Sequence, residues 1–168
     1  KEFKNEIFLI NSKKDLQSNE IFKKKIILCL HNKMIKKTSY TLNFKENLDL
    51  LSNSCFNLSC PGVVMPLCHH LIEGIKVGSI PITNCEKLLS PYLTEENSLQ
   101  YSNINQLIEK FHEALVMKND EVVYMREKVL NYYKTNLSPE NFKKNFKKIL
   151  SKNEKKIICC DDHRSVEK

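Results

Sequence analysis

Apolar residues in the first hundred positions fall in short runs, separated by polar stretches with helical spacing, and this alternation predicts an α/β chain. Glu6–Ile10 and Lys25–Leu30 read as short strands on either side of a polar, helical segment around Asp15–Lys24. Lys45–Leu51 has the spacing of a short amphipathic helix, and Cys55–Leu58 that of a buried strand. Pro61 and Gly62 then make a turn. Leu67–Val77 predicts a helix with Leu67, Leu71, Ile72 and Ile75 on one apolar side. Gly78 suits the position just past that helix, where a left-handed residue is needed. Ile80–Thr83 returns as a strand, with Pro81 fitted to a strand start or an edge. A loop from Asn84 to Asn97 leads to a last short strand near Leu99–Tyr101.

Beyond that point the pattern is helical. Asn103 or Asn105 can cap a helix through Met117, and Asn119 or Asp120 a second through Tyr133. Ser138-Pro139-Glu140 opens a third through Leu150, with proline at the first helical position. The expected fold is therefore a Rossmann-like, mostly parallel sheet with helices on both faces and a C-terminal helical segment. Residues 1–150 are expected to form one domain, and 151–168 a charged, flexible tail carrying Cys159, Cys160, Asp161, Asp162 and His163. The longest apolar run, Ile26–Leu30, falls far short of the ~20 residues that span a bilayer.

The stretch from Cys55 to Ile82 holds most of the chemistry. A strand, a Pro-Gly turn, a helix and a second strand open a helix N-terminus beside parallel strand ends, where phosphorylated ligands bind. The chain has 3 glycines, Gly62, Gly74 and Gly78, and all lie in this unit. DLLSNSCFNLSCPG followed by CHHLIEGIKVGSIPI resembles the donor-binding core of the exostosin-like glycosyltransferases, the C-terminal half of a two-domain GT-B enzyme. In that family a strand ends near Pro-Gly, a helix carries Arg-x-x-Glu, and Gly-x-x-Pro leads into the next strand. The similarity runs from about Phe44 to about Phe146.

The resemblance implies a role for each residue it matches. Glu73 corresponds to the glutamate that holds the ribose of the nucleotide-sugar donor, and a carboxylate can accept two hydrogen bonds from a diol. Read without the resemblance, Glu73 is an ordinary solvated helix residue. His70 stands where the family has arginine, which is permanently charged and grips a diphosphate with two prongs. A histidine there ties donor affinity to pH. His69 is a second candidate phosphate contact, and either histidine could instead pack against the sheet. Pro61 and Gly62 make the turn where backbone N–H groups can face a pyrophosphate, because glycine lets backbone approach closely. Thr83 and Asn84, at the end of the next strand, are candidates for the base or sugar pocket.

The implied reaction is attack of an acceptor hydroxyl on the anomeric carbon while a nucleoside diphosphate leaves. The implied partners are a nucleotide-sugar donor and a glycan or polysaccharide acceptor, with no cofactor. The catalytic base comes from the other half of such enzymes, so none is named. The chain is then expected to be a fragment lacking the acceptor domain and inactive by itself.

Composition modifies this only slightly. Lys+Arg number 27 against 20 Asp+Glu, for a formal charge of +7. The lysines are spread, and frequent Lys, Asn and Ile fit an AT-rich genome, so nucleic acid is not an expected partner. Peripheral membrane association stays open. The odd count of 7 cysteines, without regular spacing, favours reduced and mostly buried thiols and a cytoplasmic setting; family members of higher eukaryotes would place it in the Golgi lumen. Cys55, Cys60, Cys68, His69 and His70 lack paired C-x-x-C spacing, so no metal is expected. The alternative reading is a non-catalytic α/β binding or interaction module: the missing arginine favours it, and the Pro-Gly and Glu73 spacing opposes it.

Overall fold

The computed structural model describes residues 7–10, 12–23, 25–29, 42–60 and 69–151. The chain divides into two compact units, residues 1–47 and 48–168, each of which has parallel strands. Pro61, Gly62 and the predicted helix start at Leu67 lie outside the described residues, as does the tail from 152 onward.

In the first unit, β1 (Ile7–Ile10) pairs in parallel with β2 (Ile26–Cys29), Ile7 facing Ile26 and Ile10 facing Cys29. The crossover between them contains α1 (Lys13–Leu16) and a 3-10 turn over Asn19–Lys23. Asp15 fixes the start of α1. Its carboxylate accepts from the Ser12 N–H at 2.8 Å and the Ser12 hydroxyl at 3.1 Å. Ile10 and Ile21 are buried and supply this unit's apolar contact.

Residues Phe44–Asn53 form α2, whose start is a reciprocal cap. Asn43 Oδ1 accepts from the Glu46 N–H at 2.9 Å, and Glu46 Oε2 accepts from the Asn43 N–H at 3.0 Å. In the second unit, β3 (Phe56–Ser59), β4 (Ile80–Thr83) and β5 (Leu99–Gln100) form a parallel sheet in that order. Between β3 and β4 lies α3 (His69–Val77). After β5 come α4 (Ile104–Val116), α5 (Asn119–Tyr132), a π-turn over Tyr133–Leu137 and α6 (Pro139–Ser151). The chain is thus α/β with parallel strands and a helical C-terminal segment, as the alternation predicts. The parallel strands are split between a two-stranded and a three-stranded sheet.

Pro81 departs from expectation, because β4 is the central strand of its sheet. Its missing N–H is nevertheless harmless. In a parallel ladder, alternate residues bond opposite neighbours. Ile80 donates to the Cys55 carbonyl on the β3 side at 2.8 Å, so position 81 faces β5. The β4–β5 ladder begins only at Ile82 opposite Leu99, one step past the proline. The ring therefore removes no ladder bond.

The end of α3 is set by Gly78, with φ of 78°. Its N–H donates to the Ile75 carbonyl at 3.2 Å, and the Ser79 N–H donates to the Gly74 carbonyl at 2.9 Å. This pair of bonds is a Schellman ending, which needs a left-handed residue at the glycine. The chain reverses there and enters β4 at Ile80.

Leu71 and Ile75 of α3, Ile80 and Ile82 of β4, Leu99 of β5, and Met125, Val129 and Tyr132 of α5 make one buried cluster with Cys85, Leu89 and Leu93. Each such aliphatic side chain contributes about 1.5–3 kcal/mol on burial. Polar contacts fix what apolar packing leaves free. Arg126 of α5 donates to the Ser54 carbonyl at 3.0 Å and the Ser52 carbonyl at 3.3 Å, covering the exit of α2. The buried Tyr132 hydroxyl donates to the Pro91 carbonyl and ties the loop after β4 to α5.

Helix starts follow the sequence with one shift. Asn103 caps α4, its Oδ1 accepting from the N–H groups of Asn105 and Gln106 at 3.0 Å each. Ser138 begins α6, its hydroxyl accepting from the Asn141 N–H at 3.3 Å. For α5 the cap is Lys118, not Asn119 or Asp120. The Glu121 carboxylate accepts from the Lys118 N–H at 3.3 Å and does the work of a capping side chain.

Gly74 packs closely on Asn57. A Cβ there would lie 2.5 Å from Asn57 Oδ1. Gly74→Ala should therefore cost about 1–3 kcal/mol in urea unfolding, the usual range for overpacking. In an Asn57→Ser background the same substitution should cost clearly less, because the blocking amide is gone and contacting residues couple. Additive losses would show that the close approach is not what demands glycine.

Candidate functional site

Parallel strands place their carboxyl ends together, and here those ends carry polar residues in register. Ser59 of β3 faces Thr83 of β4, which faces Gln100 of β5. The residues just beyond, Cys60, Asn84 and Tyr101, extend the same edge. From β3 the chain returns at α3, whose first turn presents His69 and His70 to solvent.

Among the predicted residues, His70 and Glu73 come together. Their three-residue spacing puts both on one face of α3, with His70 Nδ1 4.0 Å from Glu73 Oε2. The His70 side chain is 47% exposed and Glu73 22%, so both can reach a ligand from solution. A separation of 4.0 Å is too long for a hydrogen bond. A carboxylate has about four lone-pair positions and can accept further bonds. His69 is exposed as well. Asn84 is exposed, and its Oδ1 accepts from the Cys85 thiol at 3.4 Å.

Thr83 is a correction. It is 0% exposed, and its hydroxyl is spent inside the sheet. It donates to the Ser59 carbonyl at 3.2 Å and accepts from the Cys85 N–H at 3.0 Å. A side chain with no free surface and both hydrogen-bonding roles filled holds the strand ends together and does not line a pocket. Of the remaining candidates, Pro61 and Gly62 lie outside the described residues.

Sequence reasoning overlooked Asn57. It is 8% exposed in the middle of β3, and its amide donates to the Ser59 hydroxyl at 2.7 Å and the His70 carbonyl at 3.4 Å. The second bond ties the first turn of α3 to the strand. The signal was present: a lone amide between Phe56 and Leu58 in a strand otherwise read as buried and apolar.

Tyr101 was also overlooked as a site neighbour. Burial first, then the Cys60 thiol beside it and Cys85, push its phenol up to about 12. Of the described cysteines, Cys85 is buried while Cys55 and Cys60 are exposed. The expectation of mostly buried thiols thus fails on the β3 flanks. Among the described residues, no group of acidic, histidine or cysteine side chains is arranged to hold a metal ion, and no helix is long and apolar enough to cross a membrane.

A cavity of about 770 Å³ opens elsewhere, where the end of α4 meets the start of α5. Val116, Met117, Tyr124 and Met125 form its apolar part, and Glu95, Glu96, Glu113, Asp120 and Glu121 give it acidic walls. It includes none of the predicted donor-site residues. Glu113 is paired with Lys110 at 2.7 Å and Glu96 with Lys128 at 3.2 Å, which offsets part of the negative charge.

No family model, curated protein or solved structure matches the chain.

Two expected outcomes test these assignments. Thr83→Val should lower stability by about 1–3 kcal/mol, because it strands the Cys85 N–H without its acceptor; an unchanged urea midpoint would remove Thr83's structural role. Tyr101 keeps its proton in the folded state where the unfolded chain releases it, above about 10. Its contribution to stability is then complete below that pH and lost as pH rises toward about 12. Tyr101→Phe should remove the latest step from an ultraviolet tyrosine titration and flatten the alkaline decline in stability. A titration unchanged by that substitution would contradict the assignment.

Proposed function

We propose that the second unit binds the nucleotide-sugar donor of an exostosin-like glycosyltransferase, at the face of α3 beside the carboxyl ends of β3 and β4. The observation that carries the reading is the His70–Glu73 pair, 4.0 Å apart on the helix that follows β3, with His70 exposed and Glu73 partly so. Glu73 accepts hydrogen bonds from the ribose hydroxyls. His70 and His69 face the diphosphate, whose charge grows as the glycosidic bond to the donor breaks. Asn84 stands at the end of β4 for the base or sugar. Thr83 takes no direct part. The general base and the acceptor site belong to a partner domain in this reading, so the chain alone binds donor and does not turn it over.

Two further points support the reading. The strands are parallel, and ligands in open α/β sheets bind outside the carboxyl ends. Asn57 also anchors the first turn of α3 through the His70 carbonyl, which keeps the pair's backbone in place. A second reading, a non-catalytic α/β interaction module, is favoured by the position of the 770 Å³ cavity away from α3.

Calorimetric titration with uridine or guanosine diphosphate separates the two. Glu73→Ala should weaken binding by about 1.5–3 kcal/mol, the range for hydrogen bonds to a charged group, with melting unchanged. His70→Arg should hold or improve affinity by supplying a permanent charge and a planar fork for the diphosphate. Absence of binding by the parent, or a Glu73→Ala variant that binds equally well, would leave the interaction module as the better reading.

A further inference from the structure

The C-terminal helix α6 carries a second surface with its own chemistry. Its principal contact is with the π-turn Tyr133–Leu137 that precedes it. Every residue from Phe142 to Lys148 is exposed. Phe142 is 66% exposed and Phe146 47%, and their rings stack on each other with centroids 6.0 Å apart and planes 12° apart. Two aromatic rings held in water like this form an apolar stripe along one side of the helix.

Lys143, Lys144, Lys147 and Lys148 share that stretch. With about 100° of rotation per residue, they fall roughly 80° to 180° around the helix from the phenylalanine stripe. Glu140, in the first turn, is the acidic residue of α6. One side of the helix is therefore aromatic, and its flanks and back are strongly basic. This is the make-up of helices that lie in a membrane interface, with rings at the acyl boundary and ammonium groups among the head groups.

We propose that α6 docks the protein on an anionic lipid surface, with Phe142 and Phe146 inserted, Lys143 and Lys147 reaching down to acidic head groups from the flank, and Lys144 and Lys148 adding longer-range attraction from the water side. Charge complementarity selects this occupant. A second copy of α6 would cover the rings but bring two lysine arrays together. A nucleic acid bound along the lysines would leave the rings in water, since they lie on the other side. A bilayer surface covers the rings and attracts the lysines that flank them. The proposal is independent of the donor reading, because it uses none of the residues of α3.

The chain contains no tryptophan, so Phe146→Trp introduces a single fluorescent reporter on the docking stripe. The whole chain would be titrated with vesicles of phosphatidylcholine alone, and of phosphatidylcholine and phosphatidylserine at about 7:3. The expected result is a blue shift in emission with the anionic vesicles only, reduced by added salt. Replacing Lys143, Lys144, Lys147 and Lys148 by Gln in that reporter should weaken partitioning at least tenfold, given roughly fivefold per lysine near an anionic surface. Phe142→Ser should weaken it several-fold while leaving salt dependence in place. Circular dichroism and melting of each variant check that the helix persists.

Equal partitioning into both vesicle types, or no shift with either, would overturn the proposal. So would a shift produced by an oligonucleotide in preference to vesicles. A shift that grows with protein concentration without lipid would assign the stripe to self-association instead. Loss of nucleotide binding leaves this outcome unaffected, so failure of the donor reading and failure of this one are distinguishable.

Discussion

The second unit depends on how closely α3 can lie against β3. Gly74 brings the helix backbone over Asn57, at a distance where any side chain would meet the amide at 2.5 Å. That closeness lets the Asn57 amide reach the His70 carbonyl and so fixes the entry of the helix. Gly78 then sets the exit, by a left-handed turn that delivers the chain into β4. Between these two points α3 has little freedom to slide or rotate, and Leu71 and Ile75 are aimed into the core.

Interior polar groups at the strand ends follow from the same geometry. Ser59 and Thr83 are buried and bonded to their neighbours, and the buried Asn57 donates its amide to the Ser59 hydroxyl while its Oδ1 accepts no hydrogen bond among the described residues. Buried hydroxyl and amide groups are tolerated when they are hydrogen-bonded, and they then hold neighbouring strands in register. Their use within the sheet separates structural polarity from ligand-facing polarity. The exposed groups on α3 and the loop after β4 include His69, His70 and Asn84.

The helical C-terminal segment divides its labour. The α5 helix is a packing element: Met125, Val129 and Tyr132 enter the core, Arg126 covers the carbonyls leaving α2, and Tyr132 pins the loop before β5. By contrast, α6 gives its aromatic residues to solvent. An exposed aromatic stripe beside a dense row of lysines has the make-up of an interface-seeking helix. The surplus of positive charge, read from composition as a spread property, acquires a local meaning on this element.

The sequence by itself determined the strand and helix types and the parallel α/β class, because periods of two and 3.6 are local properties of the chain. It also determined the glycine stop at Gly78 and the Ser138 helix start and narrowed the α4 cap to Asn103 or Asn105, since caps depend on near neighbours. Tertiary structure decided the rest. Thr83 looked like a pocket residue at a strand end, and only the register with Ser59 shows its hydroxyl consumed. Pro81 suggested an edge, yet a two-residue β5 that starts one position late lets it sit in the centre. Asn57 with Gly74, and Tyr101 with Cys60, are meetings across long stretches of chain. Such contacts leave no periodic trace, because nothing local in the sequence specifies which distant backbone will approach.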